Sequence, residues 1–180
     1  MSLPGAEVLA DAIVPYFNRT WEHFSSHRHT PSAGKPGYPG VVRNGRAIYF
    51  MHPVFEQYQA NAPRWVKQLV ANAIGMLMPG PLVTVEGPGT IFAALSEQPG
   101  ERRLVLHLLH YIPERRGQAF DVIEDVIPLH DVKVSVRAGK PVRGVTAVPG
   151  DQKLAFENRG GRVDFTLPRL EGHQMIAISA

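Results

Sequence analysis

The chain has no cysteine. A disulfide framework, a zinc ribbon and thiol catalysis are therefore excluded, although such a chain is compatible with either redox environment. Charge is also scarce: 19% of residues are Asp, Glu, Lys or Arg and 44% are hydrophobic, against about 25% charged in an average globular protein. That balance excludes an intrinsically disordered chain. No apolar run approaches the ~18–20 residues that cross a bilayer, and Met1-Ser-Leu-Pro-Gly5 lacks the basic start and apolar core of a signal peptide. The expectation is a soluble, cytoplasmic protein with no membrane attachment. Nineteen basic and sixteen acidic residues leave a net charge of only +3. The basic residues stand in short groups, such as Arg102–Arg103 and Arg115–Arg116, so nucleic acid is not an expected partner. Aromatic residues, at 8%, are too few and too regularly spaced to imply a stacking platform.

What is abundant is punctuation, with 17 glycines and 16 prolines. Two textures meet near Met78-Pro-Gly-Pro81, dividing the chain into residues 1–79 and 80–180. In the first part, Ala6–Val14 fits either a short helix or a strand, the strand leading into a loop being preferred, and Pro15 ends either. Tyr16–Pro39 has no periodicity and reads as a long His-rich loop, a kind that is usually functional or partner-bound. Gly40–Met51 is a hairpin around Asn44–Gly45. Pro53 opens a short helix to about Tyr58 and Pro63 a longer one over Arg64–Met78. Trp65, Leu69, Ile74 and Leu77, with Val66, Val70, Ala73 and Met76 beside them, give that helix a broad apolar face expected to pack on a sheet. Beyond Gly80, alternating segments follow one another between turns, as in Val132, Val134 and Val136 against Lys133, Ser135 and Arg137. This predicts an antiparallel β-sandwich of roughly eight strands on the size scale of immunoglobulin-like domains.

The densest collection of reactive side chains is Asn18-Arg-Thr-Trp-Glu-His23-Phe-Ser-Ser-His27-Arg-His29. On a helix His23 and His27 would share a face, and Glu22 with His29 could complete a metal site. No helix is predicted there, however, and loop histidines bound to backbone or to another surface are the simpler reading, so neither metal nor cofactor is expected. No Gly-x-Ser-x-Gly elbow supports a serine nucleophile, and Gly34–Gly40 is not a phosphate loop. Glu124 and Asp125 are adjacent on a predicted strand, point to opposite faces, and are poorly placed to flank one glycosidic bond. His107 and His110 fall on opposite faces of Leu104–Tyr111, one outside and one partly buried. His130 and His173 are expected in turn hydrogen bonds. The sequon Asn18-Arg-Thr20 matters only in a glycosylating cell. No catalytic residue is assigned.

The wording of Tyr16-Phe-Asn-Arg-Thr-Trp-Glu-His-Phe-Ser-Ser-His-Arg-His-Thr-Pro31, followed by Val42-Arg-Asn-Gly-Arg-Ala-Ile-Tyr-Phe50, resembles the beta-galactosidase trimerisation-type domain of bacterial glycoside hydrolases. Leu104-Val-Leu-His-Leu-Leu-His-Tyr111, Val126-Ile-Pro-Leu-His-Asp-Val132 and Leu170-Glu-Gly-His-Gln-Met175 resemble the β-sandwich that closes the same chains. The resemblance implies an α+β chain: a partial flavodoxin-like α/β segment without catalytic residues, then an antiparallel sandwich. It further implies a C-terminal accessory and oligomerisation region whose catalytic TIM barrel lies upstream, with that barrel, a second copy and carbohydrate as partners. Asn18, Arg19, Trp21, Glu22, His23, His27 and His29 would then line substrate or interface. The family pattern often has Cys where Ser25 stands, so no role is carried to that position. The alternative is an independent carbohydrate- or metal-binding module using residues 18–31.

Overall fold

A computed structural model describes residues 4–26 and 29–180. The chain divides into two units, Met1–Gly80 and Pro81–Ala180.

The first unit is a three-stranded antiparallel sheet, β1 (Glu7–Pro15), β2 (Ser32–Asn44) and β3 (Ala47–Phe50), followed by helices α1 (Val54–Asn61) and α2 (Arg64–Leu77). The expected hairpin forms, but Asn44 pairs with Ala47, so the two-residue turn is Gly45–Arg46. Gly45 has a φ of 58°, and glycine at the first turn position supplies that positive φ without a Cβ clash. Two expectations fail here. The flavodoxin-like segment is not confirmed, since these strands pair antiparallel whereas a doubly wound sheet is built on parallel ladders. The long loop also ends early, because Ser32–Pro39 is strand.

That strand tolerates its prolines because β3 pairs only with Val41–Asn44, leaving the other side of Ser32–Pro39 without a ladder partner. Its register to β1 also slips: Ala10 faces Val41 and Asp11 faces Pro39, leaving Gly40 as the extra residue of a bulge. A Cβ on Gly40 would sit 3.0 Å from the Ala12 backbone nitrogen and 3.3 Å from the Asp11 carbonyl carbon. Glycine is thus required by the close approach of β1.

Both expected helices form. In α1 the Ala62 N–H donates to the Tyr58 carbonyl at 2.7 Å, with Ala62 left-handed (φ 45°) before Pro63. Helix α2 buries Val66 and Ala73, two turns apart. Trp65, expected on the core face, is instead 63% exposed, and Ile74 and Met76 are exposed too. Among described residues the buried apolar side chains of this unit are Val41, Val54, Val66 and Ala73.

The second unit is the antiparallel sandwich. One sheet has the order β11-β10-β14-β6-β5: β5 (Ile91–Gln98), β6 (Arg103–His110), β10 (Gly144–Val148), β11 (Gln152–Lys153) and β14 (Gly172–Ser179). The other has the order β12-β13-β9-β4: β4 (Val83–Glu86), β9 (Leu129–Arg137), β12 (Phe156–Arg159) and β13 (Arg162–Leu170). A small separate hairpin joins β7 (Glu114–Arg115) to β8 (Asp121–Val122), so most of the predicted Asp121–Ile127 strand is irregular.

Period-two alternation builds the core. Leu106 and Leu108 of β6, Ile176 and Ile178 of β14, and Val145 and Ala147 of β10 meet Val132, Val134 and Val136 of β9 and Val163, Phe165 and Leu167 of β13. Leu106, Leu108, Val136, Val163 and Ile176 are fully buried. One long segment of about 100 residues thus closes a continuous apolar layer by itself.

Candidate functional site

Two features of the first unit are the candidate sites: the segment between β1 and β2, and the groove beside it.

The segment is closed at its base, where the Tyr16 N–H donates to the Pro31 carbonyl at 2.8 Å. A loop whose ends meet in this way projects its middle. Its inner turn is fixed twice, since the His23 N–H donates to Thr20 Oγ1 at 3.0 Å and the Thr20 N–H donates to the His23 carbonyl at 2.7 Å. The Phe17 ring lies 6.2 Å from the His23 imidazole. Trp21 lies within this turn and is 87% exposed, with Phe24 and Tyr16 each 75% exposed.

Of the residues singled out in the sequence, Asn18, Arg19, Trp21, Glu22, His23 and His29 are exposed, and His27 lies outside the described residues. No group of three or more His, Asp or Glu side chains is placed to hold a metal ion among the described residues. His29, at the end of the segment, reaches the neighbouring groove.

That groove has a volume of about 1180 Å³. One wall is β1 and β2 with Asp11, Ile13 and Val41; Phe50 and His52 stand where the sheet ends. The other wall is helical, with Gln57 and Asn61 of α1 and Trp65, Gln68, Leu69 and Asn72 of α2. Spacings of three, four and seven residues put the α2 group on one face. Tyr38 Oη and His52 Nε2 are 3.0 Å apart, which fixes the His52 ring. Gln68 Nε2 donates to Asn72 Oδ1 at 2.7 Å. Of these residues the sequence offers only His29 as a site candidate, with Trp65 and Leu69 read as core. The remainder was hidden because Trp65 reads as core and the amides read as solvated helix surface.

In the second unit His107 and His110 fall on opposite faces of β6 as expected, one buried and one outward, while His173 departs from expectation. His110 is buried, its Nδ1 3.1 Å from Thr90 Oγ1, while its Nε2 has no hydrogen-bond partner. His173 is not in a turn: it lies on β14 and stacks on His107 of β6, with ring centroids 5.3 Å apart, planes within 4°, and His107 Nδ1 3.1 Å from His173 Nε2. One ring nitrogen of that contact donates and the other accepts. Sixty-six residues separate the pair, so strand register alone brings it together. His130 is exposed on β9. Glu124 lies at the surface 2.6 Å from Arg116, a solvated ion pair of small energetic weight.

No family model and no curated protein matches the chain. Among solved structures, alpha-L-fucosidase isoenzyme 2 from Paenibacillus thiaminolyticus is similar over 97% of this chain, with a TM-score of 0.91 and 35% sequence identity. A cycloisomaltooligosaccharide glucanotransferase of Paenibacillus sp., solved with cycloisomaltoheptaose, matches 53% of this chain and 16% of its own at 18% identity and a TM-score of 0.41. The chain spans 27% of the length of the fucosidase. Its fold is therefore that of a segment of a glycoside hydrolase. Both units fall within the match, the sandwich included.

Proposed function

We propose that this chain is a non-catalytic accessory and assembly region of a carbohydrate-active glycoside hydrolase, with the catalytic barrel elsewhere in the enzyme. The observation that carries the reading is the match itself: nearly the whole chain corresponds to about a quarter of an alpha-L-fucosidase. A closed sandwich with a continuous core suits a supporting domain, which stays folded while other parts of an enzyme bind and release substrate. An α-L-fucoside is the substrate class to test first, on the strength of that neighbour's name.

The assembly part of the reading rests on the first unit. Trp21, Phe24, Tyr49, Phe55, Ile74 and Met78 are all exposed there, and a concentration of large apolar side chains on a small unit marks an interaction surface. The closed loop carrying Trp21 is the element best shaped to enter a pocket, either of the same enzyme or of a neighbouring copy, with Arg19, Glu22 and His23 near Trp21 in sequence. The resemblance to trimerisation-type domains supports the same role.

The test is a comparison on aryl glycosides, 4-nitrophenyl α-L-fucoside among them, of this 180-residue chain with the enzyme that contains it. The expected result is turnover only by the longer protein, reduced when Trp21→Ala is introduced there. Turnover by the 180-residue chain alone overturns the accessory reading. Sedimentation of the isolated chain tests assembly: concentration-dependent association is expected, and a strict monomer across a wide range refutes that part.

A further inference from the structure

The geometry points to a second carbohydrate-contacting site, separate from the Trp21 loop: the groove between the β1–β2 wall and helices α1 and α2 holds a neutral oligosaccharide. The accessory reading above guides the choice of glycan probes, but the inference rests on the chemistry of the groove.

The first argument is charge. Among the described residues lining the groove there is no Lys or Arg; the one carboxylate is Asp11, and two imidazoles, His29 and His52, complete the ionisable set. Phosphate, sulfate and nucleic acid are recognised by Arg and Lys. Such ligands find no cation here.

The second argument is hydrogen-bonding type. Gln57, Asn61, Gln68 and Asn72 place four carboxamides along the helical wall, each able to donate and to accept. A sugar hydroxyl likewise donates and accepts, so a row of amides matches a polyol without a fixed charge. Gln68 and Asn72 are already hydrogen-bonded to each other, which fixes both and leaves the Gln68 carbonyl oxygen and both Asn72 N–H groups for other partners. Asp11, with no ion pair among the described residues, supplies a further acceptor from the opposite wall.

The third argument is the indole. Trp65 shares a helix face with Gln68 and Asn72 and keeps most of its surface open. An aromatic face gives the aliphatic C–H face of a pyranose an apolar partner while the ring edge remains polar. Val41, Val54 and Leu69 add apolar lining. At about 1180 Å³ the groove exceeds the ~300–1,000 Å³ typical of small-molecule pockets, which fits several sugar units rather than one.

Saturation-transfer NMR and calorimetry on the 180-residue chain test this, with 2′-fucosyllactose and maltotriose as neutral probes and a sulfated heparin disaccharide as the charged one. Binding of at least one neutral probe at millimolar concentration and none of the sulfated probe is expected. Trp65→Ala should weaken that binding roughly tenfold, as loss of one stacking contact does. Gln68→Ala should weaken it less, and Phe92→Ala, at an exposed aromatic of the second unit, not at all. Trp65 is exposed, so unchanged circular dichroism confirms that its variant folds. Absence of binding by both neutral probes overturns the proposal. So does binding that survives Trp65→Ala, or preference for the sulfated probe. A groove covered by a second copy would appear as self-association abolished by Trp65→Ala without glycan binding, and overturns it too. None of these outcomes depends on turnover, so the accessory reading stands or falls separately.

Discussion

Asn158 offers a sharp test of what holds the sandwich together. The chain leaves one sheet after β9 and joins the other at β10, and Val142 lies buried in that crossing. The Asn158 carboxamide, on β12, meets both backbone groups of Val142: its Nδ2 donates to the Val142 carbonyl at 2.9 Å, and its Oδ1 accepts the Val142 N–H at 3.1 Å. One side chain thus replaces a strand partner for a residue that has none. Asn158→Ala deletes two hydrogen bonds at about 0.5–1.5 kcal/mol each, so the expected loss is about 2 kcal/mol. For a unit of this size that is a fall in Tm of roughly 8–16 °C. Asn158→Asp keeps the shape and the acceptor, but removes the donor and turns a carboxylate oxygen toward the Val142 carbonyl. It should destabilise the fold at least as much as Ala does. Urea denaturation followed by far-UV circular dichroism measures both, with the midpoint shifting at constant slope. An Ala variant within about 0.5 kcal/mol of the parent, or a neutral Asp variant, refutes the assignment.

Other perturbations follow from the same structure. Leu106→Ala, at the centre of the core, should cost about 2–5 kcal/mol, read as a shifted urea midpoint; a loss below that range would mean the core relaxes around the cavity. Two glycine-to-alanine changes should have opposite signs in the first unit. Gly40→Ala drives a methyl against the β1 backbone and should destabilise by about 1–3 kcal/mol. Gly75→Ala, in α2 with nothing within 4 Å of the new methyl, should stabilise by about 0.5–1 kcal/mol through helix propensity. Thermal melts of the two variants check the pair.

The sandwich was legible because its strands obey a simple rule. Val132, Val134 and Val136 alternate with polar neighbours, and Val163, Phe165 and Leu167 of β13 do the same, so burying one face dictates the strand assignment and the face together, while β6 and β14 read as strands from short apolar runs bounded by turns. The rule fails where pairing is not set by burial. Ser32–Pro39 contains two prolines and two glycines and reads as loop, yet it is strand because one of its sides needs no ladder and its glycines absorb register slips against β1. Asp121–Ile127 fails in the opposite sense: its residues suit a strand, but only Asp121 and Val122 find a partner. Propensity identifies what a segment tolerates, and the available neighbour decides what it becomes.

The site was harder to read for a related reason. A residue's role in the first unit depends on what the unit fails to cover. Trp65 and Ile74 fit an amphipathic helix whose apolar face should be buried, and a doubly wound domain would bury them under further strands and helices. Here the sheet has three strands and leaves them open. The same hydrophobicity that signals core in a complete domain therefore becomes exposed surface in this one. The second unit shows the contrast within one chain: its apolar pattern closes on itself, and its fully buried residues come from both sheets. We propose that the unit which closes its own core supports and the one with exposed apolar side chains recruits, so the search for partners starts with residues 1–80. Exchange protection of backbone amides is the measurement that divides the two. β6, β9, β13 and β14 should be protected to the full stability of the sandwich, and α2 should gain protection only when a glycan or partner is added. Equal protection of α2 and β6 in the isolated chain would mean that the first unit needs no partner.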